Sequence, residues 1–383
     1  MKTVMLAFGT RPEAIKMAPV IRELKRPGAD FRTVVCVSAQ HRHMLDQVLR
    51  TFDIVPDADL NLMRPGQDLA DLTAGVLRGM RDQIRVVRPD WLLVHGDTTT
   101  TFASALAAFY EGVRVGHVEA GLRTFDLAAP FPEEFNRQVA TKLSTLHFTP
   151  TAASRANLLA EGIDSRQIAI TGNTAIDSLR WAVDLIESNA CIRGEAEGIL
   201  DDRLFAKWRT AAPILITGHR RENFGEGFEN ICQAISALAR NFPERAFIYP
   251  VHLNPQVQRP VSKLLSGQSN VHLIEPLDYL PFIRLLMASD FVMTDSGGIQ
   301  EEAPTLNKPV LVMREVTERP EAVRTGAIRL VGARRDSIVS NASALLLDRE
   351  QHRAMADADN PFGDGHAAEK IVNFLRSHSG TPK

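Results

Sequence analysis

The sequence is poor in the features that most quickly classify a chain. Of 383 residues only three are cysteine, Cys36, Cys191 and Cys232. They lie far apart and form no CxxC pair, which argues against a disulfide framework or a zinc site. Cys36 stands in an apolar run and reads as core filler, because free cysteine packs as a small hydrophobe. An excess of one charge is also lacking. Lysine and arginine number 44, aspartate and glutamate 46, and the formal net charge is −2. A dedicated polyanion binder carries a basic surplus or stripe, so no nucleic-acid partner is expected. No uncharged apolar stretch approaches the ~18 residues that mark a membrane span. The apolar start at residues 3–8 is cut by Gly9-Thr10-Arg11-Pro12, too early for a signal-peptide core. A soluble, cytoplasmic chain without membrane partners is expected.

Several common chemical signatures are missing too. GxxxxGK followed by Ser or Thr is absent, which excludes a P-loop NTPase. Gly225-Glu226-Gly227 and Gly363-Asp364-Gly365 are incomplete GxGxxG matches, and neither follows a predicted strand. HExxH and clustered ligands are absent, so no metal is expected. Asn341-Ala342-Ser343 fits a glycosylation sequon, which carries no meaning in a cytoplasmic chain.

What the chain does have is alternation. With 44% hydrophobic and 23% charged residues it can build ordinary cores. Short apolar, β-rich runs occur at 3–8, 33–37, 91–95, 113–118, 146–149, 214–217, 246–251, 271–274, 291–294 and 310–313. Between them, helical spacing predicts helices at 14–25, 69–88, 101–110, 134–143, 154–161, 228–241, 281–288 and 301–306. Runs apolar on both faces, separated by helices, predict parallel sheets in doubly wound α/β domains. After Ile168-Ala169-Ile170-Thr171 the strand signal stops until Ile214. The spacing predicts an N-terminal α/β domain, 1–172, and a C-terminal α/β domain, 173–364. A helix at about 365–383 is free to pack back on the first. Two such Rossmann-like domains facing a cleft bind ligands beyond the carboxyl ends of their strands.

The residues that follow the strands are chemically pointed. Gly9-Thr10-Arg11-Pro12-Glu13 opens a helix, with Lys16 one turn in. Free N–H groups, the helix dipole and two cations suit a phosphate. His95-Gly96-Asp97-Thr98 places an acid at a strand-to-helix turn, where either Asp97 or Thr98 would also serve as an N-cap. His117-Val118-Glu119-Ala120-Gly121-Leu122-Arg123 ends a buried strand on a glutamate, which must be either used in chemistry or, as the lesser alternative, ion-paired with Arg123. Glu133 and Glu134 open the next helix. In the second half, Gly218-His219-Arg220-Arg221-Glu222-Asn223 and Asp295-Ser296-Gly297-Gly298 follow strands, the latter as a second anion nest. Glu302 lies one turn later, and Arg314, Glu318 and Arg319 follow the strand after that.

This ordered set of motifs, from Gly9 to about Gly332, resembles the bacterial non-hydrolysing UDP-N-acetylglucosamine 2-epimerase family. The resemblance implies a GT-B-type fold, a homodimer, and conversion of UDP-GlcNAc to UDP-ManNAc without nicotinamide, metal or other cofactor. The implied route eliminates UDP to 2-acetamidoglucal and adds it back, supplying ManNAc units for cell-surface polysaccharide. By resemblance Asp97, Glu119, Glu133 and His219 are the catalytic set, with the division into acid and base left open. Arg11, Lys16, Arg137, Phe282, Ser296, Gly297, Gly298, Glu302 and Arg319 are the substrate-binding set. Leu277 stands where many relatives carry a glutamine beside the uracil. Some relatives bind a second UDP-GlcNAc as activator; Gln40 and His252 match that site, whereas His43 and Gly66 do not. Alternative readings are an epimerase of a modified UDP-sugar, a GT-B glycosyltransferase, or a non-catalytic UDP-sugar sensor.

Overall fold

The computed structural model describes residues 1–39, 42–64, 66–199 and 212–378. The chain forms two compact units. One comprises Met1–Ser178 with Phe362–Lys383, the other Leu179–Pro361.

In the first unit the order is β1 (Lys2–Phe8), α1 (Arg11–Leu24), β2 (Phe31–Val37), α2 (Arg42–Thr51), β3 (Ala58–Asp59), α3 (Leu69–Val87), β4 (Trp91–His95), α4 (Thr99–Tyr110), β5 (Arg114–Val118), α5 (Glu133–Leu143), β6 (Leu146–Thr149), α6 (Ala152–Ala160) and β7 (Ile168–Ile170). The helix α7 (Thr174–Ser188) carries the chain out of this unit, and α8 (Ala190–Gly198) follows. The strands pair in parallel in the order β3-β2-β1-β4-β5-β6-β7. Strands β1, β4 and β5 are almost wholly buried, as runs apolar on both faces require. Their Met5, Leu92 and Val94 pack under Leu72, Val76, Met80 and Ile84 of α3, which recur every fourth residue on one helix face. Each such side chain contributes about 1.5–3 kcal/mol by leaving water. Cys36 is buried in this layer, as core filler should be.

In the second unit come β8 (Ile214–Thr217), α9 (Glu226–Asn241), β9 (Phe247–Pro250), α10 (Pro255–Leu265), β10 (Val271–Ile274), α11 (Tyr279–Ala288), β11 (Val292–Thr294), α12 (Gly297–Thr305), β12 (Val310–Val312), α13 (Pro320–Thr325), β13 (Ile328–Leu330), α14 (Arg335–Leu347) and α15 (Arg349–Ala356). The order β10-β9-β8-β11-β12-β13 is again parallel throughout. The core sets Ile214, Phe247, Phe291 and Leu311 against Phe228, Ile231 and Ile235 of α9. The terminal helix α16 (Ala367–His378) returns to the first unit, where Phe374 meets Phe148 edge-on at 6.0 Å between ring centres.

The expected doubly wound α/β class is the class observed. Strands expected at 91–95, 146–149, 214–217 and 271–274 have those bounds. Helices α2, α10, α13, α14 and α15 were not foreseen. In α10, Pro255 and Pro260 disguise a face of Val257, Val261 and Leu265. Each sheet reverses its winding once, between β1 and β4 and between β8 and β11. Ligand sites in open α/β sheets sit at such switch points, and Arg11, Asp97, His219 and Ser296 follow those four strands, with Glu119 after the neighbouring β5.

Candidate active site

The loop after β1 is built around Glu13. Thr10 and Glu13 form a reciprocal capping box at the start of α1. The buried Glu13 carboxylate accepts from Gly9 N at 3.0 Å, Thr10 N at 2.8 Å and Thr98 Oγ1 at 2.6 Å. It thereby ties the β1 loop to the β4 loop across the switch point. Burial pushes the Glu13 carboxyl above its usual range, against the pull of these donors. Gly9 is obligatory, because a Cβ there would lie 1.9 Å from Ser38 Oγ. Arg11, half-buried, is the first residue of α1, where among the described residues it has no hydrogen-bond or ion-pair partner. It is a cation available to a ligand at a helix N-terminus.

Beyond β4, Thr98 caps α4, accepting from Thr101 N at 3.1 Å. Asp97 is thus released from capping. Its Oδ2 accepts from Arg137 Nη2 at 2.5 Å, and Asn136 Nδ2 holds its carbonyl at 2.9 Å. Burial raises the Asp97 carboxyl above its ordinary value; Arg137 opposes this, and the charges of Glu119 and Glu133 add to it. Asp97 therefore feels both of the other carboxylates expected to act with it. Glu133, the first residue of α5, is half-buried. Glu134 beside it is structural: it is buried and accepts from Thr124 N at 3.0 Å and Phe125 N at 3.1 Å.

Glu119 has φ +62°, a left-handed conformation that costs a non-glycine residue about 1–2 kcal/mol. The turn sends its carboxylate back toward β4 and α1. There it is ion-paired with Lys16 and accepts from Asn173 Nδ2 at 3.2 Å. His95 Nε2 lies 3.7 Å away. The alternative in which Arg123 pairs with Glu119 is not the one formed. Arg123 turns away and holds Glu161 through Nε at 2.5 Å and Nη2 at 3.0 Å. The residue at φ +62° separates the two side chains that lie close in sequence.

His95 is buried, and neither of its ring nitrogens has a hydrogen-bond partner among the described residues. Burial pushes its pKa down to about 4, so it is neutral beside Glu119. His117 donates from Nε2 to Gly96 O at 2.7 Å, fixing the β4 turn, and burial depresses it to about 3.

In the second unit the buried Asp295 is the organiser. It accepts from His219 N at 3.0 Å, Arg220 N at 2.9 Å and Asn223 Nδ2 at 3.3 Å. The loop after β8 is thus pinned to the end of β11. His219 Nδ1 lies 3.8 Å from Asp295 Oδ1, and the ring stacks on His252 at 5.2 Å between centres. Burial lowers the His219 pKa, with the neighbouring Asp295 charge opposing. Ser296 is the N-cap of α12, followed by Gly297 and Gly298. Arg319 lies across this helix start: a Cβ on Gly297 would come within 2.8 Å of its Nη1. Arg319 also donates from Nε to buried Glu301 at 2.7 Å. A cation and free helix N–H groups there converge on one place, a cradle for an anion. Glu302 is buried in the first turns of the same helix. Phe282 is half-buried on α11, and Leu277 is buried just before it. Gln40 lies outside the described residues, while His252 is exposed and accepts from Asn254 N at 3.1 Å.

Among the residues of these sites that carried no assigned role from the sequence are Glu13, Asn173 and Asp295. Only Glu13 had a readable signal, the Thr-x-x-Glu capping pattern.

The comparisons fit this geometry. The family model for UDP-N-acetylglucosamine 2-epimerase matches residues 22–376. The UDP-N-acetylglucosamine 2-epimerase of Yersinia pestis is 51% identical over 378 residues, covering 99% of both chains. That of Escherichia coli K12 is 51% identical over 379 residues, covering 98% of each. The crystal structure of the Neisseria meningitidis UDP-GlcNAc 2-epimerase bound to UDP-GlcNAc superposes with a TM-score of 0.91 at 48% identity, over 98% of this chain and 100% of that one. The two parallel-sheet α/β domains match the GT-B-like fold of such structures.

Proposed function

The chain belongs to the UDP-N-acetylglucosamine 2-epimerase family and is an enzyme of that activity, and we propose that it works by eliminating UDP and adding it back. A base takes the proton from the sugar carbon that bears the acetamido group. The electron pair of that C–H bond forms the double bond to the anomeric carbon, and the anomeric C–O bond breaks with its pair going to UDP. The products are 2-acetamidoglucal and UDP. Protonation on the opposite face and return of the UDP oxygen to the anomeric carbon give UDP-ManNAc.

The observation that carries this route is the carboxylate group at the first switch point. Asp97 feels the charges of Glu119 and Glu133, while burial raises its own carboxyl. Inversion needs an acid and a base on opposite faces of one carbon, and a group of neighbouring carboxyls, one of them raised by burial, can supply both. Lys16 and Asn173 support Glu119, and Arg137 supports Asp97. Departing UDP develops negative charge. Arg11, His219, Arg319 and the Ser296-Gly297-Gly298 helix start are the groups we assign to it. Glu302 is assigned to the ribose, Phe282 to the uracil and Arg137 to the sugar side. The same reading makes the protein a cytoplasmic homodimer whose UDP-ManNAc supplies ManNAc units for surface polysaccharide, and makes His252 part of a site for an activating UDP-GlcNAc.

Incubation with UDP-GlcNAc in deuterium oxide, followed by proton NMR, tests the route. Epimerisation without an acceptor, with deuterium at the acetamido-bearing carbon, is the expected result. Epimerisation that retains the original proton would overturn the elimination route; unchanged substrate would overturn the substrate assignment. Release of free ManNAc would identify a hydrolase instead.

A further inference from the structure

We propose that Asn173 is a positioning residue that fixes the Glu119 carboxylate from the point where the chain leaves its first unit. The inference rests on the catalytic role assigned above to Glu119.

Asn173 is 3% exposed and lies immediately before α7, the helix that carries the chain onward. Its backbone N–H donates at 2.7 Å to the carbonyl of Phe362, the residue at which the chain re-enters the unit. The outgoing and returning segments touch there: a Cβ on Gly172, at φ +89°, would lie 3.2 Å from Phe362 O. Four residues on, Asp177 accepts from Ala367 N and Ala368 N at 3.2 and 2.8 Å, clamping α7 to the start of α16. The backbone of Asn173 is therefore held from both passes of the chain.

Its side chain has two distinct tasks. Oδ1 accepts from Ala175 N at 2.9 Å, capping α7, and Nδ2 donates to Glu119 Oε2 at 3.2 Å. The amide orientation follows from its neighbours, because a backbone N–H only donates and a carboxylate only accepts. Aspartate and serine cap helices as well as asparagine does, but neither offers Glu119 this donor. Glu119 at φ +62° lies past the end of β5, beyond the sheet ladder, so its carboxylate needs such external support. Lys16 faces it from α1, His95 from β4, His117 from β5 and Asp97 from the β4 loop.

The test uses Asn173→Asp and Asn173→Ser in the full chain, with kcat and KM for UDP-GlcNAc followed against pH and Tm measured alongside. Because both variants keep the cap, Tm should stay within about 2–4 °C of wild type in Asn173→Ser, while Asn173→Asp loses somewhat more to its like charge beside Glu119. A misdirected carboxylate should lower kcat by about tenfold or more, with KM changed less than kcat. In Asn173→Asp a second carboxylate faces Glu119 and favours its protonated form. Whichever limb of the pH profile Glu119 sets should then move up by about one unit, further than in Asn173→Ser. A wild-type kcat and profile in Asn173→Asp would overturn the inference. So would a kcat loss in both variants that tracks a fall in Tm without any shift of a limb. Glu119→Gln separates the two levels: full turnover in that variant overturns the role of Glu119, whereas its inactivity beside a normal Asn173→Asp overturns only the role of Asn173.

Discussion

Arg137 donates from Nη2 to Asp97 Oδ2 at 2.5 Å while its Nη1 lies 3.3 Å from Glu134 Oε2. One guanidinium thus bridges a carboxylate assigned to chemistry and one assigned to structure. The bridge is what opposes burial, Glu119 and Glu133 in setting the proton affinity of Asp97. Arg137→Met removes the opposing charge and leaves the other three effects in place. The limb of the pH–rate profile set by Asp97 should then move to higher pH, and turnover should fall by about 10²-fold. Steady-state kinetics between pH 5 and 10 measure both. An unmoved profile would separate Asp97 from the rate-limiting proton transfer.

The catalytic assignment itself predicts losses of a different size. Asp97→Asn, Glu119→Gln and Glu133→Gln each remove a carboxyl without changing shape. Loss of a general acid or base costs about 10²–10⁴-fold in kcat. Solvent-deuterium wash-in at the acetamido-bearing carbon should fall in step with turnover in whichever variant has lost the base. Wild-type turnover in both Asp97→Asn and Glu119→Gln would remove the carboxylate mechanism.

Three buried histidines make the first unit acid-sensitive. Burial lowers His95 and His147 to about 4 and His117 to about 3. Their ordinary value is 6.5, so between that and about 4 the unfolded chain binds protons that the folded chain refuses. Stability is therefore full above 6.5 and is lost as pH falls through this window, at up to about 1.4 kcal/mol per pH unit for each histidine. Thermal unfolding at a series of pH values should show this slope. His147→Gln should reduce it by one proton; an unchanged slope would mean that His147 protonates equally in both states.

Asp295 predicts a link between stability and the nucleotide site. It takes two backbone N–H groups from the β8 loop and an amide from Asn223. Asp295→Ala leaves the two part-buried backbone N–H groups without this acceptor, at about 1–3 kcal/mol in total, while Asn223 Nδ2 keeps the Met313 carbonyl at 3.1 Å. Urea unfolding should show a loss in that range, and UDP binding should weaken because His219 and Arg220 lose their anchor. A stable variant with unchanged UDP affinity would show that the loop holds its shape without Asp295.

Much of this was legible in the sequence, for a physical reason. Parallel strands buried on both faces leave short apolar runs, and the residues just past them must lie at the rim of the sheet. Arg11, Asp97, Glu119, His219 and Ser296 were found that way. Partnerships were less legible. Arg123 is four residues from Glu119 and yet pairs with Glu161, because the positive φ of Glu119 aims the two side chains apart. Asn173 was given no role, since nothing in the local pattern shows that its amide meets a residue 54 positions earlier. Strands β3 and β13 were missed because two or three residues at a sheet edge leave no periodicity to read.

The two cations near α1 should behave differently on removal. Arg11 has no partner among the described residues, whereas Lys16 is ion-paired with Glu119. Arg11→Ala therefore deletes only an interaction with ligand. UDP affinity, read by calorimetry, should fall by about tenfold, and the effect should add to that of Glu119→Gln. Lys16→Met deletes a ligand contact and also leaves Glu119 without its cation. Its effect on kcat should depend strongly on whether residue 119 is still charged. In a double-mutant cycle, Lys16→Met with Glu119→Gln should depart from additivity by about 0.5–3 kcal/mol, as contacting residues do. Arg11→Ala with Glu119→Gln should close the cycle to within about 0.5 kcal/mol. Additivity in the Lys16 cycle would mean that the ion pair does not govern Glu119 during turnover.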